Sequence, residues 1–267
     1  MVWLRYIFLS VGLCGIPALG QVTHQAARLY EGVGLAPHLG EKVPLNLTFT
    51  QSDGTGIVLE DLFEAERPVV LTFVYHTCPM LCSALLDGLT RALADVPWDP
   101  GTAYDLVTVS FSPEDSPSRA AEQRARYLRQ LGRPEADWHF LTGQEASIRT
   151  LTEATGFQFK WVEEQEEYVH PAAIIFLSPD GTVTRYLADV APRSRDVRAA
   201  IVEASNGQVG SLLDRAFLYC FRFDPAANSY VLVATRAMQV GGGLTAFFLL
   251  ASLSLLWLRE FRRRTIA

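Results

Sequence analysis

The run RPVVLTFVY, residues 67–75, is apolar or β-branched almost without interruption. A strand with no polar face has to be covered on both sides, so it belongs inside a sheet flanked by other layers. YDLVTVSFS (104–112) and IIFL (174–177) have the same character. Between such runs lie segments with helical spacing. CSALLDGLTRALADV (82–96) places Leu85, Leu86, Leu89 and Leu93 on one face and ends before Pro97. SRAAEQRARYLRQLG (118–132) follows turn signals at Pro113–Pro117 and closes at Gly132, QEASIRTLTEATG (144–156) has Gly156 as its stop, and SRDVRAAIVEAS (194–205) is the last. LNLTFTQSDGTGIVLEDL (45–62) alternates around Ser52-Asp53-Gly54 as a hairpin does, and a second strand pair surrounds Ser178-Pro179-Asp180-Gly181. DWHFLTG (137–143) reads as a short strand or loop. Strands alternating with helices and ending in a hairpin predict an α/β sandwich with a central sheet. There is no internal repeat and no glycine-rich phosphate loop.

Cys78 and Cys82 stand directly after the first buried run, with Pro79 between them. Proline is favoured in the first turn of a helix, so Cys78 should face the positive end of a helix dipole. That setting favours the thiolate, the form that attacks disulfides and binds metals. Cys82 is expected on the same helix face, four residues on. The pair could be a disulfide, a redox couple or half of a soft-metal site. With an imidazole as third ligand, copper or zinc fits best. Among His24, His38, His76, His139 and His170, the last opens the AAIIFL strand after an acidic loop. If that strand neighbours Phe73–Tyr75, His170 lies beside the cysteines. His76 is closer in sequence but points away if it is merely solvated or hydrogen-bonded.

Both ends of the chain carry targeting signals. Residues 1–20 read as a secretory signal, with Arg5, an apolar stretch to Leu19, and small residues at Ala18 and Gly20. Cleavage would discard Cys14. Residues 238–258 are uncharged and are followed by REFRRR, which predicts a transmembrane helix with residues 259–267 as a cytoplasmic tail. Residues 21–44 form a lead-in, 45–205 the folded domain, and 206–237 a juxtamembrane linker. The folded part then lies outside the cytoplasm, tethered to the cytoplasmic membrane. The formal charge of −6, with Lys42 and Lys160 the only lysines, argues against nucleic-acid binding. The run Glu163, Glu164, Glu166, Glu167 is read as a solvated loop, and Asp115 and Asp180 as turn residues. Cys220 is read as a buried structural thiol.

The fragments LTFVYHTCPMLC, VTVSFSPEDSP, WHFLTG and YVHPAAIIFLSPDG occur in the order seen in the Sco/SenC family, and the chain resembles it from about Leu45 to Glu203. The LYCFRFDPAANSYV segment and the C-terminal apolar run resemble a bacterial subgroup. The resemblance implies a thioredoxin-like sandwich with a central mixed sheet, plus one C-terminal transmembrane helix. It implies a copper chaperone that binds Cu(I) or Cu(II) through Cys78, Cys82 and His170. It also implies as partners a copper donor protein and subunit II of cytochrome c oxidase, whose CuA centre such proteins help to assemble. His76 matches no family ligand and becomes a neighbour of the site or a surface residue. Pro171 stands where thioredoxins have a cis-proline. An alternative function is thiol–disulfide exchange, with Cys78 attacking and Cys82 resolving, acting on the oxidase's own cysteines. A permanent structural disulfide is the third reading.

Overall fold

The computed structural model describes residues 32–63, 65–78, 80–209, 221–224, 229–232, 242, 245–250 and 252–254. The expected signal, Cys14, His24, Pro79, Cys220, most of the linker and the cytoplasmic tail lie outside the described residues. Of the expected membrane span, residues 242, 245–250 and 252–254 are helical. Among the described residues, no helix is long and apolar enough to cross a membrane.

In chain order the elements are strands β1 (Gly34–Leu35), β2 (Thr48–Gln51) and β3 (Gly56–Val58), a 3-10 turn (Leu59–Phe63) and β4 (Val69–Val74). Next come helix α1 (Leu81–Ala94), β5 (Asp105–Ser110), α2 (Pro117–Leu131), β6 (Trp138–Thr142) and α3 (Glu145–Ala154). Short strands β7 (Phe157–Gln158), β8 (Lys160–Val162) and β9 (Glu167–Val169) precede β10 (Ile174–Leu177), β11 (Val183–Leu187) and α4 (Ser194–Ser205). A separate hairpin joins β12 (Phe221–Asp224) to β13 (Ser229–Leu232).

Seven strands form one mixed sheet in the order β11-β10-β4-β5-β6-β2-β3. The centre, β4-β5-β6, is parallel, as strands joined by helical crossovers must be. The outer pairs are antiparallel. Helix α1 packs against α2 and α4, which themselves lie on β6 and on β10–β11, so these helices form one covering layer. This mixed sheet with flanking helices is the thioredoxin-like arrangement. DWHFLTG turns out to be a full strand inside the sheet, because Trp138, Phe140 and Leu141 are buried.

The helix ends follow their local chemistry. Ser116 caps α2, its hydroxyl accepting from the Arg119 N–H at 3.4 Å, with Pro117 in the first turn. Gly132 ends that helix at φ 73°, a left-handed conformation that glycine adopts without a Cβ clash. Residues read as a lead-in contribute to the domain: Val33 and Val43 are buried, and β1 pairs with β7. The segment from Phe157 to Leu187, expected to hold two strands, holds five. Strands of two or three residues are too short to show a period in sequence.

The three parallel strands are tied together by a buried polar chain. The Thr72 and Thr108 hydroxyls lie 2.9 Å apart, and Trp138 Nε1–H donates to Thr108 Oγ1 at 2.9 Å. Buried polar groups cost free energy unless paired, and here each is paired. Thr108→Val keeps the volume but orphans both partners. It should lower unfolding free energy by about 2 kcal/mol in urea denaturation, with an unchanged m-value.

Candidate metal centre

Strand β4 ends at Val74, and the chain turns through Tyr75, His76 and Thr77 to Cys78 before α1 begins at Leu81. The turn is clamped by its neighbours. The Asp115 carboxylate accepts from the His76 backbone N–H at 2.7 Å and from the Ser110 hydroxyl at 2.5 Å. The Cys78 N–H donates to the Tyr75 carbonyl at 3.2 Å. Asp115, read in sequence as a turn residue, therefore also positions the cysteine loop. The only sequence signal for that role is its place just past the end of the adjacent buried strand.

Helix α1 starts later than the cysteine spacing implied. Its N-cap is Met80, which makes no side-chain cap bond. Cys78 is outside the helix and Cys82 inside its first turn, so the two do not share a helix face as expected. Their sulfurs are held by backbone amides instead: Cys82 N–H donates to Cys78 Sγ at 3.3 Å, and Tyr75 N–H to Cys82 Sγ at 3.4 Å. Both cysteines are free thiols.

Strand β10 runs antiparallel beside β4, with Ile174 opposite Thr72. Its approach therefore passes the C-terminal end of β4. His170 lies in that approach, four residues before the strand proper rather than at its first position. His170 Nε2 is 3.5 Å from Cys82 Sγ, and its Nδ1 is 3.0 Å from the Pro171 carbonyl oxygen. A carbonyl can only accept, so Nδ1 carries the proton and the Nε2 lone pair faces the sulfurs, the usual preparation of a metal-binding imidazole. The ligand atoms of Cys78, Cys82 and His170 all lie within 4.8 Å of one another. Among the described residues they are the one such group of three or more.

An aromatic wall surrounds the imidazole. Ring centroids of Phe111, Tyr75 and Phe157 lie 5.0, 5.8 and 6.2 Å from that of His170. Tyr168 packs edge-on against Phe111 and Tyr75. It stands on the β8–β9 hairpin, whose exposed tip carries Glu163, Glu164 and Glu166. The acidic run is thus a solvated turn, and Trp161 Nε1–H donates to Glu163 at 2.7 Å. Nothing in the sequence singles out these aromatic neighbours, since aromatic residues there serve equally as core.

The other sequence candidates lie elsewhere. The His76 ring stacks on Phe140 at 6.4 Å, its Nε2 is buried without a hydrogen-bond partner, and it is not among the three convergent ligands. Burial pushes its pKa down, against the pull of Asp115. His38 faces the Ala154 carbonyl, and His139 lies between Gln51 and Asp137. Asp180 is a turn residue, bonded to Ser178, Thr182 and Lys42. No peptide bond among the described residues is cis, so the His170–Pro171 bond is trans.

The two thiols are electrostatically unequal. Cys82 is 4 % exposed, and burial, followed by the hydrogen bond to Cys78 and its charge, pushes its pKa up. Cys78 is half-buried; the bond from Cys82 chiefly pulls it well below the ordinary thiol range, with the Cys82 and Met80 amides assisting against burial. The Tyr75 phenol is raised, first by burial and then by Cys78. Iodoacetamide should therefore label Cys78 far faster than Cys82. With its folded pKa below the range, Cys78 is already thiolate, so its labelling rate should stay nearly flat between about pH 5 and 8. A rate that climbs about tenfold per pH unit, as for an ordinary thiol, would contradict this assignment.

Residues 39–205, more than half of the 267-residue chain, match the family described as SCO1/SenC. No curated protein matches the chain. Among solved structures, a candidate electron transfer protein of Aquifex aeolicus VF5 is 22 % identical, covering 64 % of this chain and 95 % of its own, with a TM-score of 0.56. A SCO1/SenC family lipoprotein of Bacillus anthracis str. Ames is 16 % identical, covering 64 % and 99 %, with a TM-score of 0.52. At these identities the likeness is one of fold. By the match across its folded domain, with the paired cysteines and the distal histidine inside it, this chain belongs to the SCO1/SenC family.

Proposed function

We propose that this chain is a copper chaperone that binds one copper ion through Cys78, Cys82 and His170 and hands it on during assembly of the CuA centre of cytochrome c oxidase. The observation that carries the reading is the convergence of two sulfurs and one oriented imidazole nitrogen within 4.8 Å. Thiolates select soft ions, and two thiolates with an imidazole suit copper in either Cu(I) or Cu(II) form. Three protein ligands leave a further position open, as a carrier needs for exchange. Membership of the SCO1/SenC family supports the same reading. The donor protein and subunit II of the oxidase are the proposed partners. The proposed location is the outer face of the cytoplasmic membrane, supported by the apolar ends of the sequence and the arginines after Leu258.

Reduced protein should bind one equivalent of Cu(I) per chain by titration. Cys78→Ala with Cys82→Ala should abolish binding, and His170→Ala should weaken it at least tenfold. Tight stoichiometric binding that survives loss of both cysteines would refute the proposal. Asp115→Ala releases the turn that presents Cys78, so copper affinity should fall by about tenfold or more, a typical cost of removing a group that orients a ligand. Asp115→Asn, which retains one acceptor oxygen, should lose less.

One observation favours thiol–disulfide exchange as a second activity: a half-buried Cys78, its sulfur accepting from the Cys82 N–H, stands beside a Cys82 that is 4 % exposed. In that reaction the Cys78 thiolate attacks a target disulfide and expels one target thiolate. Cys82 then displaces the other, leaving a Cys78–Cys82 disulfide and a reduced target. Copper-free turnover of a disulfide substrate, lost in Cys78→Ser and retained in His170→Ala, is the expected signature. Absence of turnover would remove this second reading and leave copper binding untouched.

A further inference from the structure

Met80 breaks two local rules at once. It is 75 % exposed, the most exposed large apolar side chain among the described residues. It also occupies the N-cap of α1, where Ser, Thr, Asp or Asn would accept a hydrogen bond, and makes no such bond. Its backbone nonetheless belongs to the site. The Met80 carbonyl accepts from Ala84 N–H at 3.0 Å, and the Met80 amide is turned toward Cys78. Residues that violate local preference beside a binding site are where function is to be sought.

The ligands themselves create the need. Cys82 is 4 % and His170 3 % exposed, so neither can meet a partner's ligand directly. Cys78, half-buried, is the one ligand with an open side. Two peptide units keep the Cα atoms of Cys78 and Met80 within about 7.6 Å, inside the reach of a flexible thioether. A thioether is a soft donor suited to Cu(I).

We propose that Met80 is the hand-over ligand of the site: its thioether binds Cu(I) at the solvent side during loading and release, and is not a ligand of the resting complex. This rests on the copper-chaperone reading above. On release, a bond from Cu(I) to Met80 Sδ forms as the bond to His170 Nε2 breaks. Both donors are neutral, both thiolates stay bound, and no electron or proton moves in that step. Acceptor ligands then displace the thioether and the thiolates, and Cys82 takes back from solvent the one proton that loading displaced, while Cys78 returns as the thiolate. Copper stays Cu(I) throughout.

A ligand used only between the end states speeds both directions equally and leaves the equilibrium where it was. The test uses the reduced full chain, Cu(I) and the chromophoric Cu(I) chelator bathocuproine disulfonate. Equilibrium competition reads affinity, and stopped-flow absorbance reads the rates of copper leaving and arriving. Met80→Leu preserves size and apolarity without the sulfur. It should keep the Cu(I) affinity within about twofold and slow both rates about tenfold, while Met80→Cys restores them by supplying another soft donor. Unchanged rates in Met80→Leu would overturn the hand-over role alone. A tenfold loss of affinity with an unchanged arrival rate would overturn it too, making Met80 a resident ligand. If the wild-type chain fails to bind Cu(I), the copper-chaperone reading falls and this inference with it.

Discussion

The site depends on the antiparallel pairing of β10 with β4. In such a pair the end of one strand lies beside the start of the other, so the approach to β10 passes the loop that leaves β4. Register matters as much as direction. A slip of one residue would move His170 by about 3.3 Å and exchange the faces of every side chain in the strand. Ile174, Ile175, Phe176 and Leu177 are fully buried, as are their partners in β4, and that burial resists any slip. The core thereby sets the distance between an imidazole and a thiol that are 88 residues apart in sequence.

Around this frame the protein places polar atoms where burial would otherwise penalise them. The cysteine sulfurs receive backbone amides from Tyr75 and Cys82. Asp115 holds the turn from the next strand, and the Pro171 carbonyl fixes the imidazole tautomer. Each of these partners is a backbone group or a residue at the end of a neighbouring strand. The inequality of the two thiols follows from the same geometry: one sulfur faces amides and a proton donor near solvent, while the other is enclosed.

The central strands and the four main helices are legible in sequence because their apolar periods are long and their caps are marked by Ser116, Pro117 and Gly132. Strand β6 is legible only as a short strand or loop, and the β8–β9 hairpin and the exact start of α1 are not legible. The first two are short, and their aromatic residues could serve as core in several arrangements. The start of α1 lacks a capping side chain, since Met80 stands there, and a missing signal gives no boundary. The ligand pair Cys78 and Cys82 is conspicuous in sequence, but helical spacing does not account for their proximity. They converge through the turn ahead of the helix rather than along one helix face.

The amino-acid order by itself determined the α/β class, the reactive pair of cysteines, the apolar ends and the acidic body. Those are properties of local pattern and composition. Which histidine joins the cysteines is different in kind, since five are present in the chain and His76 is the nearest. Only the tertiary structure chooses His170 from geometry, because strand pairing turns a long sequence separation into a 3.5 Å contact while directing His76 onto Phe140. Tertiary packing also assigned Asp115 to the support of the site. It left Met80 outside the core, because the helix begins at Leu81, two residues after Pro79.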